Sequence, residues 1–309
     1  MKINRFSSLI GIQHMVFFEV SIGIIANMIL LLFHVLTFLL EHRPKPTDLT
    51  IGHLALIHIV MLTTVSFIAV DTFGYQDLGN DIKCTSVIYL NRLMQDLSIG
   101  TTCLLSFIQA ITLNPRSSCL AKFKQKSLHQ NLCCYLFLWV FNMIINGRIL
   151  ISTVAIPNVT SHSFMFLTTS CPFLPISSFI KYTFFSLMTF QYMLFIGFMA
   201  LSSGYMVILL CKHKRQSQHL HSTSLSPRAS AEQRATRTIL LLMSFFIVIY
   251  SLDCIICSTS SVLWNTNPVH HCVLMLLGNG YATISPSVLI SSERRMLKCF
   301  MFLWGKDSE

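Results

Sequence analysis

Hydrophobic residues in this chain are gathered into long runs that short polar segments separate. A helix that crosses a membrane needs about 20 mostly apolar residues. Seven stretches reach or approach that length, at residues 16–40, 51–70, 86–113, 132–154, 182–210, 239–263 and 271–291. The pattern therefore predicts an all-α integral membrane protein, in which residues 1–309 form a single domain built as a seven-transmembrane helix bundle.

Prolines and charges lie between the runs, where helices are expected to end. The segment Glu41–Asp48 is charged and carries two prolines, and Asn114–Ser118 places a proline directly after the third run. Residues 212–237 form a polar, basic connector between the fifth and sixth runs. Because proline cannot continue a helix interior, these segments support the predicted boundaries.

Composition excludes several classes of protein. The 309 residues are 53% hydrophobic and only 11% charged, whereas soluble domains are about 25% charged. A disordered chain would be less hydrophobic, and a soluble enzyme would need more charge to cover its surface. The net charge of +10 would also fit a nucleic-acid-binding protein. The positions of the charges along the chain argue against that class.

The basic residues are concentrated on one side of the predicted membrane. With the N-terminal segment 1–15 outside, the outer segments hold Lys2, Arg5, Lys83 and Lys181, while sixteen Lys and Arg fall in the inner segments. An excess of Lys and Arg marks cytoplasmic loops. The charge therefore predicts an outside N-terminus, a cytoplasmic tail at residues 292–309, and the bilayer rather than a nucleic acid as partner.

Two further features agree with this orientation. Asn158 begins the chain's Asn-Val-Thr glycosylation sequon, and it falls in a loop that the charges place outside. Cys84 and Cys171 also fall outside, in an oxidising compartment, so the two are candidates for a disulfide bridge.

Several strings in the inner loops carry a resemblance to a known family. The segment His42–Leu56 resembles the first inner loop and second helix of the vomeronasal type-1 receptors, a family of pheromone receptors. Ile111–Lys124 resembles the family's second inner loop, and Leu201–Val207 with His219–Leu225 and Glu232–Ile239 resembles its third inner loop and flanks. Tyr281–Pro286 resembles its seventh helix.

The resemblance implies a G-protein-coupled receptor fold in the plasma membrane, a small pheromone-like ligand, a heterotrimeric G protein of the inhibitory class, and neither enzymatic activity nor a cofactor. The chain departs from rhodopsin-like receptors as this family does. It has Ile108–Ala110 where an Asp-Arg-Tyr triplet would stand, His58 in place of the sodium-binding carboxylate, and Ser285 before Pro286.

Ionisable residues inside predicted spans are costly and point to function or to buried pairing. Arg92 and Asp96 are spaced i and i+4, so they share one helix face. Since the resemblance makes the third helix central, Asn91, Arg92, Gln95 and Asp96 are candidate ligand contacts. The alternative is that Arg92 and Asp96 neutralise each other and only hold the bundle together.

Further candidates lie on neighbouring helices. Tyr192 or Phe190 of the fifth helix is expected to line a cavity. Asp253 of the sixth helix and Glu19 of the first are candidate contacts for a cationic ligand, with a hydrogen bond between helices as the favoured alternative. His58 is better read as the site of a hydrogen bond between helices.

The basic inner residues predict a docking rim. The simpler interpretation is that these residues set the orientation of the chain and attract anionic lipid. The attraction contributes about 1 kcal/mol per basic residue. The resemblance adds contact with the G protein, and places the rim at Arg116, Lys122, Lys124, Lys126, Lys212, Lys214, Arg215, Arg234 and Arg237. Cys299, just past the last span, is either palmitoylated or simply an apolar residue.

Other function classes find little support in the sequence. Catalytic motifs, metal-ligand spacings and phosphate-binding glycine loops are not evident. A bitter-taste-type receptor is the nearest alternative, and a small transporter or channel is a more distant one because no internal repeat is visible.

Overall fold

The computed structural model describes residues 2–40, 46–72, 81–113, 128–154, 165–168, 171–173, 178–219, 237, 240–241, 243–252 and 268–292. Within these ranges the chain is helical except for one hairpin of two short strands. Each predicted span coincides with, or contains, helix in the structure, so the helical class predicted from the sequence is confirmed.

Seven helices lie within the described residues. They are α1 (Lys2–Leu40), α2 (Pro46–Thr72), α3 (Asp81–Leu113), α4 (Leu128–Val154), α5 (Ser178–His219), α6 (Met243–Leu252) and α7 (Pro268–Ser292). Helix α1 begins well before the apolar run at residue 16, and α5 continues beyond residue 210 into its basic segment.

The strands β1 (Met165–Thr168) and β2 (Cys171–Phe173) pair antiparallel in the connection between α4 and α5. Strand β1 lies against α2 and β2 lies against α3. The connection from α4 to α5 therefore lies against both α2 and α3.

Helix α3 is the centre of the bundle. It contacts α2, α4 and α5, and every residue from Leu93 to Thr102 is buried. Helices α1 and α5 instead present many exposed apolar side chains, such as Phe18 and Leu201 at 69% and 72% exposure. This division follows from the bilayer, because a lipid-facing surface must be apolar whereas a helix surrounded by protein can carry paired polar groups.

Within the part of the chain that the structure describes, three helical segments are long and apolar enough by composition to cross a membrane: Gly11–Leu40, Pro46–Asp71 and Ser186–Lys212. Helix α3 has the required length of 33 residues, but its interior contains Arg92, Gln95 and Asp96. These side chains lower its hydropathy, which fits its position among other helices.

Helices α1, α2 and α7 meet closely at Gly23. A Cβ atom at this position would lie 2.7 Å from Leu62 Cδ1 and 2.8 Å from Thr283 Oγ1. One turn further along α1, Asn27 donates Nδ2 hydrogen bonds to the carbonyl oxygens of Gly23 and Ala282, each at 2.8 Å. The missing side chain therefore lets α7 approach α1 closely enough for this bond to form.

Candidate functional site

A buried polar cluster joins α3, α4 and α5 around Asp96. Its side chain has no exposed surface. Oδ1 accepts a hydrogen bond from the Tyr192 hydroxyl at 2.7 Å, and Oδ2 accepts one from Asn146 Nδ2 at 2.7 Å. Hydrogen bonds to a carboxylate are stronger than neutral ones, so Asp96 ties three helices together. We call Asp96, Asn142, Asn146, Gln191 and Tyr192 the Asp96 cluster.

Helix α4 contributes two asparagines one turn apart. Asn142 and Asn146 are both fully buried, and the i, i+4 spacing places them on the same face. Asn142 Oδ1 accepts a bond from Gln191 Nε2 at 2.9 Å, while Asn146 also donates to the Asn142 carbonyl at 3.0 Å. The face of α4 turned to α3 and α5 is therefore polar at this level.

Arg92 lies one turn before Asp96 and Gln95 lies directly before it, both on the side nearer Cys84. Arg92 is partly exposed, and its Nη1 donates to Gln95 Oε1 at 2.9 Å. Asn91 is also partly exposed. The four predicted residues of α3 are thus divided: Asp96 and Gln95 are buried, whereas Asn91 and Arg92 retain an accessible surface.

A second polar group links α2, α3 and α7 through His58. Its Nε2 lies 2.8 Å from Ser98 Oγ and its Nδ1 lies 3.3 Å from Ser285 Oγ. The interpretation of His58 as a hydrogen-bonding residue between helices is confirmed. Tyr281 of α7 packs edge-on against its ring, at 5.5 Å between centroids, and places its hydroxyl 3.2 Å from Thr102.

An aromatic cluster connects α6 with α7 beside these two polar groups. Phe246 stacks on Tyr250 with centroids 4.2 Å apart and meets Tyr281 edge-on at 4.7 Å. Phe246 and Tyr281 are at most 1% exposed. Rings packed this tightly move together, so a shift of α6 must be accommodated by α7.

The remaining predicted residues are placed as follows. Tyr192 faces the bundle, but the expectation for Phe190 is wrong, because its side chain is 62% exposed. Two residues along a helix differ by about 200° in direction, so Phe190 and Tyr192 face opposite ways. Glu19 is half-buried on α1, with Oε1 3.9 Å from where a Cβ of Gly280 would lie. Asp253 lies outside the described residues.

The predicted modification and docking residues are only partly described. Cys84 is disulfide-bonded, and Cys171 belongs to β2, which lies against α3. Lys212 and Arg237 are exposed, and Lys214 and Arg215 lie near the end of α5. Outside the described residues are Arg116, Lys122, Lys124, Lys126, Asn158 and Arg234.

Sequence reasoning missed Asn142, Asn146 and Gln191. A signal for them existed, because amides inside a predicted span tend to bond across helices, and the two asparagines repeat at helical spacing. Uncharged amides are less conspicuous in an apolar run than ionisable residues are.

The chemistry of this site is that of recognition and packing. Among the described ranges, no group of three or more His, Cys, Asp or Glu side chains could hold a metal ion. The polar groups near Asp96 are engaged with one another across helices, and such an arrangement can couple ligand contact to helix position.

Comparison with known proteins identifies close relatives. A sequence model described as the vomeronasal organ pheromone receptor family matches residues 10–302. Vomeronasal type-1 receptor 90 of Rattus norvegicus is 53% identical over 306 residues, which cover 98% of each chain. Vomeronasal type-1 receptor 53 of Mus musculus is 45% identical over 305 residues, covering 99% of this chain and 98% of that receptor.

Proposed function

Because this chain belongs to the vomeronasal type-1 receptor family, a family of membrane receptors rather than enzymes, we propose that it is a chemosensory G-protein-coupled receptor of the plasma membrane. It binds a small pheromone-like molecule in the outer half of the helix bundle. It then activates a heterotrimeric G protein of the inhibitory class at the cytoplasmic face. The observation that supports this most directly is the match of the family model to residues 10–302. The Asp96 cluster, whose partners come from three helices, then offers a means to couple ligand contact to helix position.

The ligand is held next to this cluster, between Cys84 and Asp96. Asn91 and Arg92 retain accessible surface there, and Gln95 orients the guanidinium of Arg92 at 2.9 Å. A site with a few polar groups on an otherwise apolar bundle suits a small, largely apolar ligand. Asp96 acts one turn deeper by positioning Tyr192, and Asp253 is a further proposed contact.

The signal passes from α5 to α6 and α7. Ligand contact at Arg92 alters the Asp96–Tyr192 bond, and with it the position of α5 relative to α3. The aromatic cluster of Phe246, Tyr250 and Tyr281 lies beside Tyr192 and moves with it. A ligand that favours one arrangement of these helices shifts the population of the receptor toward it.

The orientation proposed from the charges has the N-terminus outside and the basic rim inside. Lys212 and Arg237, which are exposed, belong to this rim, as do the predicted residues of the inner loops. Cys84 pairs with Cys171 on the outer side, and Asn158 carries a glycan there. Removal of a glycosidase-sensitive gel shift by Asn158→Gln tests the topology, because sugar is added only on that side; a shift that persists contradicts it.

Receptor activation provides the test of function. Cells that express the chain with a reporter of inhibitory G-protein activation are screened with small volatile, urinary and steroid compounds. An agonist should act on the wild type and lose potency about tenfold or more in Arg92→Ala, since a bond to a charged group contributes about 1.5–3 kcal/mol. Lys83→Ala removes an exposed cation of α3 and serves as matched control.

The outcomes separate the parts of the proposal. Equal potency in Arg92→Ala and the wild type would remove Arg92 from the ligand site while leaving the receptor function intact. If no compound evokes a response although the receptor reaches the surface, the proposed function itself is contradicted. A ligand-evoked current in cells without G proteins would instead indicate a channel.

A further inference from the structure

An apolar groove opens between α3, α4 and α5, apart from the proposed ligand site. Its volume is about 500 Å³. Its wall includes four aromatic rings and three free thiols, and none of its lining side chains carries a charge, a hydroxyl or an amide. The rings are those of Phe107, Phe137, Phe195 and Phe198.

The groove faces away from the bundle. Phe107, Phe137 and Phe198 are 48%, 67% and 59% exposed, and they continue the apolar outer surfaces of their helices. In a membrane receptor this surface is bathed by lipid hydrocarbon. An apolar groove left empty forfeits dispersion contacts along its wall and does not retain water, so the occupant comes from the bilayer.

We propose that this groove is a binding site for a membrane sterol. A phospholipid is held through its charged headgroup, and the lining offers no charged partner for one. A flexible acyl chain loses rotational freedom when it is fixed in a groove, whereas a rigid fused-ring molecule loses little. The flat faces of the four phenylalanine rings also suit a flat ring system, and the volume lies in the range of small-molecule sites.

The groove and the Asp96 cluster are stacked on the same three helices. On α3, Gly100 follows Asp96 by one turn; on α4, Leu138 lies one turn from Asn142; on α5, Phe195 follows Gln191 by one turn. A sterol in the groove therefore binds one arrangement of α3, α4 and α5, the arrangement that the Asp96 cluster also holds. By linkage it stabilises that arrangement.

Gly100 sets the depth of the groove. A Cβ atom at this position would come within 3.0 Å of Leu138 Cδ2. Because glycine has no Cβ, the Leu138 side chain of α4 can approach α3 closely at this level. A side chain here would push Leu138 toward the space that the sterol fills.

The native thiol of Cys133 allows sterol binding to be tested on the wild-type chain, without any substitution. It is an exposed free thiol that lines the groove, whereas Cys211 of α5 is an exposed free thiol that does not line it. The full chain is reconstituted in phosphatidylcholine nanodiscs, alone, with cholesterol, or with an equal mole fraction of diacylglycerol. Alkylation of each cysteine by N-ethylmaleimide is followed by peptide mass spectrometry.

Cholesterol should slow alkylation of Cys133 about fivefold or more, the factor expected when a site is more than four-fifths occupied, and should leave Cys211 unchanged. Equal slowing by diacylglycerol would show a groove for any uncharged lipid and overturn the proposal. Equal slowing at Cys211 would show an effect of bilayer order, and no slowing would show an unoccupied groove; each also overturns it.

A pair of variants locates the sterol. Phe198→Ala removes one wall of the groove. The ratio of the Cys133 alkylation rate without cholesterol to the rate with cholesterol should therefore fall toward one. Phe190→Ala removes a phenylalanine of similar exposure from the same helix but outside the groove, and should keep the wild-type ratio. Full protection in Phe198→Ala would place the sterol elsewhere. None of these readouts depends on ligand recognition or G-protein coupling.

Discussion

Tyr192 of α5 donates its hydroxyl hydrogen to Oδ1 of Asp96 on α3 across 2.7 Å, at a carboxylate with no exposed surface. Asn146 of α4 binds the other carboxylate oxygen at the same distance. Three helices are thus joined through one acidic side chain in the middle of the bundle. Any movement of α5 relative to α3 must stretch or break this bond.

Loss of the Tyr192 hydroxyl should therefore destabilise the receptor. Tyr192→Phe keeps the ring but removes the hydrogen bond to Asp96 Oδ1, at a cost of about 1–3 kcal/mol. The apparent melting temperature in detergent should fall. Tyr89→Phe, at a half-buried tyrosine that packs against the apolar core, is the control and should change little. Equal Tm values for wild type and Tyr192→Phe would contradict the role assigned to this bond.

Tyr192 and Asn146 should be energetically coupled, because they share one acceptor. Asn146→Ala and Tyr192→Phe are compared singly and together in a double-mutant cycle. The cost of the double variant should differ from the sum of the single costs by about 0.5–3 kcal/mol, as is usual for members of one network. Strict additivity would mean that Asp96 does not mediate between α4 and α5.

Gly23 should not tolerate alanine. The added methyl group would lie 2.7 Å from Leu62 Cδ1 and 2.8 Å from Thr283 Oγ1, which forces α1 away from α2 and α7. We expect Gly23→Ala to lower stability and surface delivery, with overpacking costing about 1–3 kcal/mol. Gly197→Ala is the matched control, since nothing lies within 4 Å of a Cβ there. It should be neutral or slightly stabilising because alanine favours helix.

His58 should contribute through its two serine contacts. His58→Leu removes the bonds to Ser98 and Ser285 while it keeps most of the buried volume, so the melting temperature should fall. The serine hydroxyls can turn to carbonyl oxygens of their own helices, which limits the cost to about 1–2 kcal/mol. His14→Leu, at an exposed position of α1, is the control. An unchanged Tm in His58→Leu would show that these bonds add no net stability.

The disulfide of Cys84 should be needed for folding, and its predicted partner is Cys171. Cys84→Ser and Cys171→Ser should reduce surface delivery to the same extent, and the double variant should be no worse than either. Loss of a disulfide costs about 2–5 kcal/mol in small secreted domains. Cys133→Ser removes a free thiol and should have no effect. Normal delivery of Cys171→Ser beside poor delivery of Cys84→Ser would point to another partner.

Much of the architecture could be predicted from the order of residues alone. Long apolar runs must become helices in a bilayer, because no other local structure satisfies their backbone hydrogen bonds there. The family could be recognised from strings such as His42–Leu56. Arg92 and Asp96 could be predicted to bind a ligand or to be paired, because a charge inside a membrane span is costly in free energy.

The partners of these residues could not be predicted in the same way. The i, i+4 spacing of Arg92 and Asp96 predicts a shared helix face, but it does not reveal that Asp96 accepts hydrogen bonds from Tyr192 of α5 and Asn146 of α4. Nor does it reveal the bond from Arg92 to Gln95. Phe190 and Tyr192 lie two residues apart, and helix geometry places them on opposite faces.

The sequence by itself determined the helical class, the order of the apolar helices and the family, because each depends on local composition and on the demands of the bilayer. Only the tertiary structure decided which faces meet: the three-helix joint at Asp96, the approach at Gly23, and the groove beside Gly100. These depend on the rotation of each helix about its axis, which packing against the neighbouring helices sets and which no single segment encodes.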